Sequence, residues 1–181
     1  MEEEQLLKEM KSILLNEIPK AVKSIRLESG EMVCYISLLG TDYEPVLGYI
    51  TLGIESHRKE IIEEYGIEDK YSIWNSGNMP INYQTTIEDS TFRAHQDQLA
   101  ELLRGDRWEE IWAACQALRF EIAMELNSYN WGEFLPVTED FVVFSEWEAI
   151  DVENGDLVPS IPQEKMNVLV EKGLVNEREN D

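Results

Sequence analysis

The chain has 181 residues, of which 43% are hydrophobic, and includes five Trp, seven Tyr and five Phe. A chain of this size buries about 70% of its extended surface, enough for a core without disulfides or a structural metal. Its net charge of −22, from 37 acidic and 15 basic side chains, argues against nucleic acid and anionic lipid as partners and favours basic proteins.

Leu6, Leu7, Met10, Ile13 and Leu14 recur at helical spacing, which predicts an amphipathic helix over residues 3–17, with Glu2, Glu3 and Glu4 at its positive end and Pro19 limiting its continuation. From Met32 the pattern changes to short β-branched and aromatic runs, Val33–Leu39 and Val46–Ile54, read as an antiparallel pair joined through Gly40–Pro45. Ser29-Gly30 offers a turn to a further strand over 21–27. Ser56 is a candidate N-cap for a helix through Tyr65, with Gly66 as its stop. Residues 71–83 mix Trp and Tyr with Asn, Gly and Pro, the composition of a loop that is either functional or packed onto the body.

A helix is expected over 88–104, then another over 107–128, where Trp108, Ile111, Trp112, Cys115, Leu118, Ile122 and Leu126 form an apolar stripe. Glu109, Glu110, Arg119, Glu121 and Glu125 are assigned to its polar face. Residues 140–147 read as a strand returning to the sheet. The expected fold class is α+β, a small antiparallel sheet packed against several helices that include a long pair. Residues 1–150 form one domain, and 151–181 an acidic linker with a short C-terminal helix or tail.

The motifs of common catalysis are missing: there is no G-x-x-x-x-G-K-[ST] or G-x-G-x-x-G phosphate loop and no G-x-S-x-G elbow. His57 and His95 share no zinc-binding motif. Cys34 and Cys115 sit in apolar patterns as buried thiols, and Asp151–Asp156 reads as an acidic turn whose spacing does not match a calcium loop. No metal, cofactor or catalytic residue is assigned. The first residues lack a secretion signal and no run is long enough to span a membrane, so a cytoplasmic protein is expected.

Charge and aromatics give the positive signal. Residues 133–181 hold 13 acids and three bases. Trp74, Tyr83, Tyr129, Trp131, Phe134 and Trp147 lie at loops or strand ends, where aromatics either cap a core or anchor an interface. The strand Val33–Leu39, the segment Tyr71–Trp74, and the late helix followed by Asp140–Phe144 resemble an uncharacterised family of bacterial cytosolic domains carrying a domain-of-unknown-function label. That resemblance implies an immunity or accessory protein of a secreted-toxin system, which occludes a basic toxin by steered encounter and aromatic anchoring. The contact patch it suggests is Trp74, Glu139, Asp140, Glu146, Trp147, Glu148, Asp151, Glu153 and Asp156. The alternatives are a small enzyme with a carboxylate-centred site near His95 or the loop from Trp74 to Tyr83, and a structural or regulatory domain. Oligomeric state is open.

Overall fold

The computed structural model describes residues 3–176. It has an α+β fold. Helix α1 (Glu3–Ser24) is followed by strands β1 (Val33–Leu39) and β2 (Tyr49–Ile54), then helices α2 (Glu55–Tyr65) and α3 (Lys70–Trp74). Two 3-10 turns lead to the two-residue strand β3 (Gln84–Thr85). The chain continues through α4 (Ser90–Leu102), α5 (Trp108–Leu126), strand β4 (Val137–Glu146) and α6 (Gln163–Glu171).

The strands lie in the order β3-β2-β1-β4. Pairing of β1 with β2 is antiparallel, as expected; the short β3, which was not foreseen, pairs antiparallel with β2, and β4 enters parallel to β1, so the sheet is mixed. A run of alternating residues fixes which face each side chain takes, not the direction of pairing. Here about a hundred residues separate β1 from β4, ample for a crossover. Along β4 the faces alternate: Phe144 meets Trp74 of α3 edge-on, while Ser145 meets Arg119 of α5. Helices α1, α4 and α5 cover one side of the sheet, and α2, α3 and α6 the other.

The outer edge of β4 is closed by side chains. The Asn127 amide donates to Val143 O at 2.7 Å and accepts from Val143 N at 2.9 Å, while Ser145 N donates to Ser160 Oγ at 3.0 Å. One asparagine thus supplies the pair of bonds a neighbouring strand would make, removing an edge open to pairing with other chains.

Several expectations need correction. Helix α1 does not stop before Pro19; it runs to Ser24 with that proline inside it, because Ile18 and Val22 continue the buried stripe of Leu6, Met10 and Leu14. The strand expected over 21–27 is therefore absent, residues 21–24 being helical. Ser56 does not cap α2; its hydroxyl donates to the Glu31 carboxylate at 2.8 Å. Of the two alternatives for residues 71–83, the structure shows packing onto the body, with Trp74, Met79 and Tyr83 buried. The short C-terminal helix is α6, and Leu157, Ile161, Leu169, Leu174 and Val175 of the segment 151–176 enter the same core. Ile54 precedes α2 without a side-chain cap, and Gly66 ends the helix at φ +87°, as its stop position requires. No described helix is long and apolar enough to cross a membrane.

Candidate binding cleft

Strands β1 and β4 run in the same direction and end together, with Gly40 N bonded to Glu146 O at 3.0 Å. Beyond their carboxyl ends the chain opens a cleft of about 850 Å³. Its walls are the α2–α3 junction (Glu68, Asp69, Lys70 and Tyr71), one side of α5 (Gln116, Arg119 and Phe120) and the segment 145–156. The cleft lies where ligands bind in open sheets with parallel strands, outside the strand ends.

The rim is acidic. Glu68, Glu148, Asp151 and Glu153 are exposed, and Asp69 and Asp156 are half-buried. The turn at 151–156 is shaped by its own hydrogen bonds: Asp151 N donates to Asp156 Oδ2 at 2.9 Å and Asn154 N to Asp151 Oδ1 at 3.1 Å. Gly155 takes φ +83°, a conformation that a side chain would strain. Asp69 accepts hydrogen bonds from the hydroxyl and backbone N–H of Ser72, and these hold its carboxyl below the usual range. No group of three or more His, Cys, Asp or Glu among the described residues has the arrangement of a metal site.

Two buried cationic residues border the cleft. Arg119, assigned to the polar face of its helix, is 2% exposed. Its Nε donates to Ser145 Oγ at 3.1 Å and its Nη1 to Pro45 O, while Nη2 has no acceptor among the described residues. The guanidinium lies so close over Gly40 that a Cβ there would overlap it. Burial lowers its pKa to about 10, leaving it charged at neutral pH. Lys70 is also buried, its Nζ bonded to the carbonyls of Ile67 and Gly173. Among the described residues no carboxylate lies within 4 Å of either cation. Arg119 had a readable sign: it is four residues after Cys115 and one after Leu118, inside the stripe rather than opposite it. Lys70 and the opposite wall, Glu68, Asp69 and Tyr71, gave none.

The suggested contact patch divides. Trp147, Glu148, Asp151, Glu153 and Asp156 come together on the cleft, and Glu146 lines it from below. Glu139 is exposed but lies elsewhere, 3.2 Å from Lys172 Nζ. Trp74 and Asp140 are corrections, because both are buried and cannot meet a partner. Trp74 fills the core beside Tyr35 and Phe144 and donates through Nε1 to Leu174 O at 2.9 Å. Asp140 pairs with Arg58 Nη1 at 2.5 Å and Lys172 Nζ at 3.1 Å. Burial pulls its carboxyl upward, but those cations outweigh burial and hold it below the usual range. Arg58, drawn down by burial but up by its anionic neighbours, ends above its ordinary value.

Glu146 is also buried. Its Oε1 accepts from the hydroxyls of Ser37 and Ser76, yet burial prevails and pushes its carboxyl above the usual range. It borders a second pocket of about 330 Å³ with Asn75, Ser76, Gly77, Tyr49 and Gln84. Trp147 belongs to the cleft rim and to an aromatic groove of about 330 Å³, where it meets Trp112 edge-on at 4.4 Å beside Trp108 and Tyr43. Of the other loop aromatics, Tyr83 and Trp131 are buried, Phe134 is partly buried and Tyr129 is exposed. His95 faces Glu9 of α1 at 3.3 Å, not Asp97, and His57 sits near Glu60 at the surface. Cys34 and Cys115 are buried thiols that burial pushes up to about 12 and about 11, suppressing the thiolate.

Compared with family models, curated proteins and solved structures, the chain matches none.

Proposed function

We propose that this chain is a non-catalytic binding protein that holds a basic protein partner, of the immunity type in which an acidic inhibitor occludes a basic toxin. The observation that carries the reading is the continuity of two surfaces: an acidic cleft rim runs into an aromatic groove, with Trp147 belonging to both. Carboxylates in water steer encounter and select a basic partner, while half-exposed aromatics at the centre supply binding energy. Trp108 and Trp147 are 52% and 38% exposed, enough to be reached.

The test is capture of a basic partner from the native host at about 0.01 M and about 1 M salt, between which the Debye length falls from about 30 Å to about 3 Å. The captured protein is then bound to a variant carrying Glu148→Gln, Asp151→Asn and Glu153→Gln, and separately to Trp147→Ala. The charge variant is expected to slow association and to lose its salt dependence. Trp147→Ala is expected to cost about 2 kcal/mol, or roughly thirtyfold in affinity. A partner held equally by all three proteins at both salt concentrations removes the reading.

A second reading rests on Glu146. A buried carboxyl with a raised pKa, beside Ser76 in a pocket, is the environment of a general acid or base. It supports a small carboxylate-centred enzyme, whose activity Glu146→Gln would abolish while the fold persists.

A further inference from the structure

Two acidic side chains in the described chain are buried, Asp140 and Glu146, both on β4. Asp140 is matched by Arg58 Nη1 at 2.5 Å and Lys172 Nζ at 3.1 Å. Glu146 has no cation beside it among the described residues: its Oε1 accepts from the hydroxyls of Ser37 and Ser76, and burial pushes its carboxyl up where the cations hold that of Asp140 down. Hydroxyls orient a carboxylate without cancelling its charge, so burying this one costs stability. Its other oxygen, Oε2, accepts no hydrogen bond from the described residues, yet it is not sealed in as Tyr35 Oη and Thr138 Oγ1 are.

The sheet fixes where that side chain points. Glu146 stands opposite Leu39 and Leu39 opposite Tyr49; one row back, Ser37 stands opposite Thr51 and Thr51 opposite Gln84. Residues opposite one another share a face, as do residues two apart along a strand. This face forms one wall of the pocket of about 330 Å³, and the turn Asn75–Gly77, which supplies the Ser76 hydroxyl to Glu146, forms another. The pocket is lined by two carboxylates, Glu146 and Glu148, and by no Lys, Arg or His. It is continuous with the cleft, since Glu146, Trp147, Glu148 and Ala149 line both. A buried carboxylate with a free oxygen, among acceptors and with no resident cation, is a receptor for a positive group. A metal ion needs more ligands than two carboxylates, and no metal-binding group of His, Cys, Asp or Glu occurs among the described residues. An ammonium or guanidinium fits, because it carries only donors. The volume is at the small end for a ligand site and suits one side chain.

We propose that this pocket receives the cationic end of one lysine or arginine side chain of a basic polypeptide bound across the cleft, with Glu146 as its buried counter-charge and the exposed Glu148 at the entrance. This rests on the reading that the chain holds a basic partner and names the contact the partner makes inside the protein. The rim carboxylates act through water, where salt screens them, whereas the contact with Glu146 is buried and screened far less.

The experiment titrates the isotopically labelled full chain at physiological salt and follows its amide resonances by NMR. The probes are end-capped Gly-Gly-X-Gly-Gly peptides with lysine, arginine or Nε-acetyl-lysine at X, together with n-butylammonium. The lysine or the arginine peptide is expected to bind about tenfold tighter than the acetyl-lysine peptide, the range of a charge-assisted hydrogen bond, and to shift the amides of Ser76 and Glu146. Glu146→Gln is expected to abolish that preference. Glu63→Gln, which removes one exposed charge of α2 outside the pocket, is expected to keep it, the folded fraction of both being checked by circular dichroism. If Glu146→Gln keeps the preference, or the shifts fall only on the rim at 151–156, the seat is wrong while the basic-partner reading stands. If neither charged peptide binds, the seat is again wrong, and the basic-partner reading is judged by the salt response of the captured partner. If n-butylammonium binds as tightly as the lysine peptide, the pocket is a small-amine site and the polypeptide assignment is overturned.

Discussion

Replacing Asp140 by alanine removes a carboxylate that lies 2.5 Å from Arg58 Nη1 and 3.1 Å from Lys172 Nζ. The Arg58 and Asp140 side chains are 5% and 2% exposed, so this is a buried ion pair. Breaking such a pair from one side costs about 3–5 kcal/mol, because the remaining charge stays dehydrated and unmatched. Arg58 would keep Glu55 at 2.5 Å from Nη2, which places the expected loss at the lower end, about 3 kcal/mol. For a chain of this length each kcal/mol moves Tm by about 2–4 °C, giving a fall of about 6–12 °C. Urea unfolding should show a lower midpoint at unchanged slope. The companion variant, Arg58→Met with Asp140→Leu, removes both charges and is expected to recover most of the loss. Neither change should alter partner affinity once folding is allowed for, since Asp140 is out of a partner's reach. A loss below about 1 kcal/mol for Asp140→Ala, or a double variant less stable than the single one, would refute the assignment of this pair to the core.

The same pair sets a pH response: Asp140 is held low in the fold, so its stabilisation is complete above its unfolded pKa of about 3.9 and disappears as pH falls through its folded value, as acid unfolding with and without Asp140→Asn will show. Glu146 has the opposite sign, because its folded pKa is raised and its charged form costs stability at neutral pH. Glu146→Gln should therefore gain more relative to wild type at about pH 8 than below about pH 4, where both forms are neutral. Asn127→Ala should cost about 2–3 kcal/mol by stranding the Val143 backbone groups, and should raise aggregation measured by light scattering, since the β4 edge is then open. Gly40→Ala forces the Arg119 guanidinium to move and should lower stability by about 1–3 kcal/mol in thermal unfolding.

The elements that could be read from the sequence are those in which one chemical periodicity dominates. The stripe of α5 from Ile111 to Leu126, the apolar run of β1 and the positive-φ stop at Gly66 are local, and each forms as its spacing or backbone demands. The acidity after residue 132 was equally visible, and so was the gathering of Trp147, Glu148, Asp151, Glu153 and Asp156, because residues close in the chain stay close in the fold. Burial was not visible wherever its cause lay far along the chain. Asp140 and Glu139 are adjacent and both acidic, yet Arg58 from α2 draws one into the core and Lys172 holds the other at the surface. Pro19 marks a helix end by local rules, but the core under Ile18 and Val22 outweighs the hydrogen bond the proline cannot make. The parallel entry of β4, and with it the gathering of the α2–α3 junction, α5 and the segment 145–156 around one cleft, was decided only by tertiary packing. The reason is energetic: composition fixes how many charges the chain carries, but whether a charge is solvated or paired depends on which distant segment covers it.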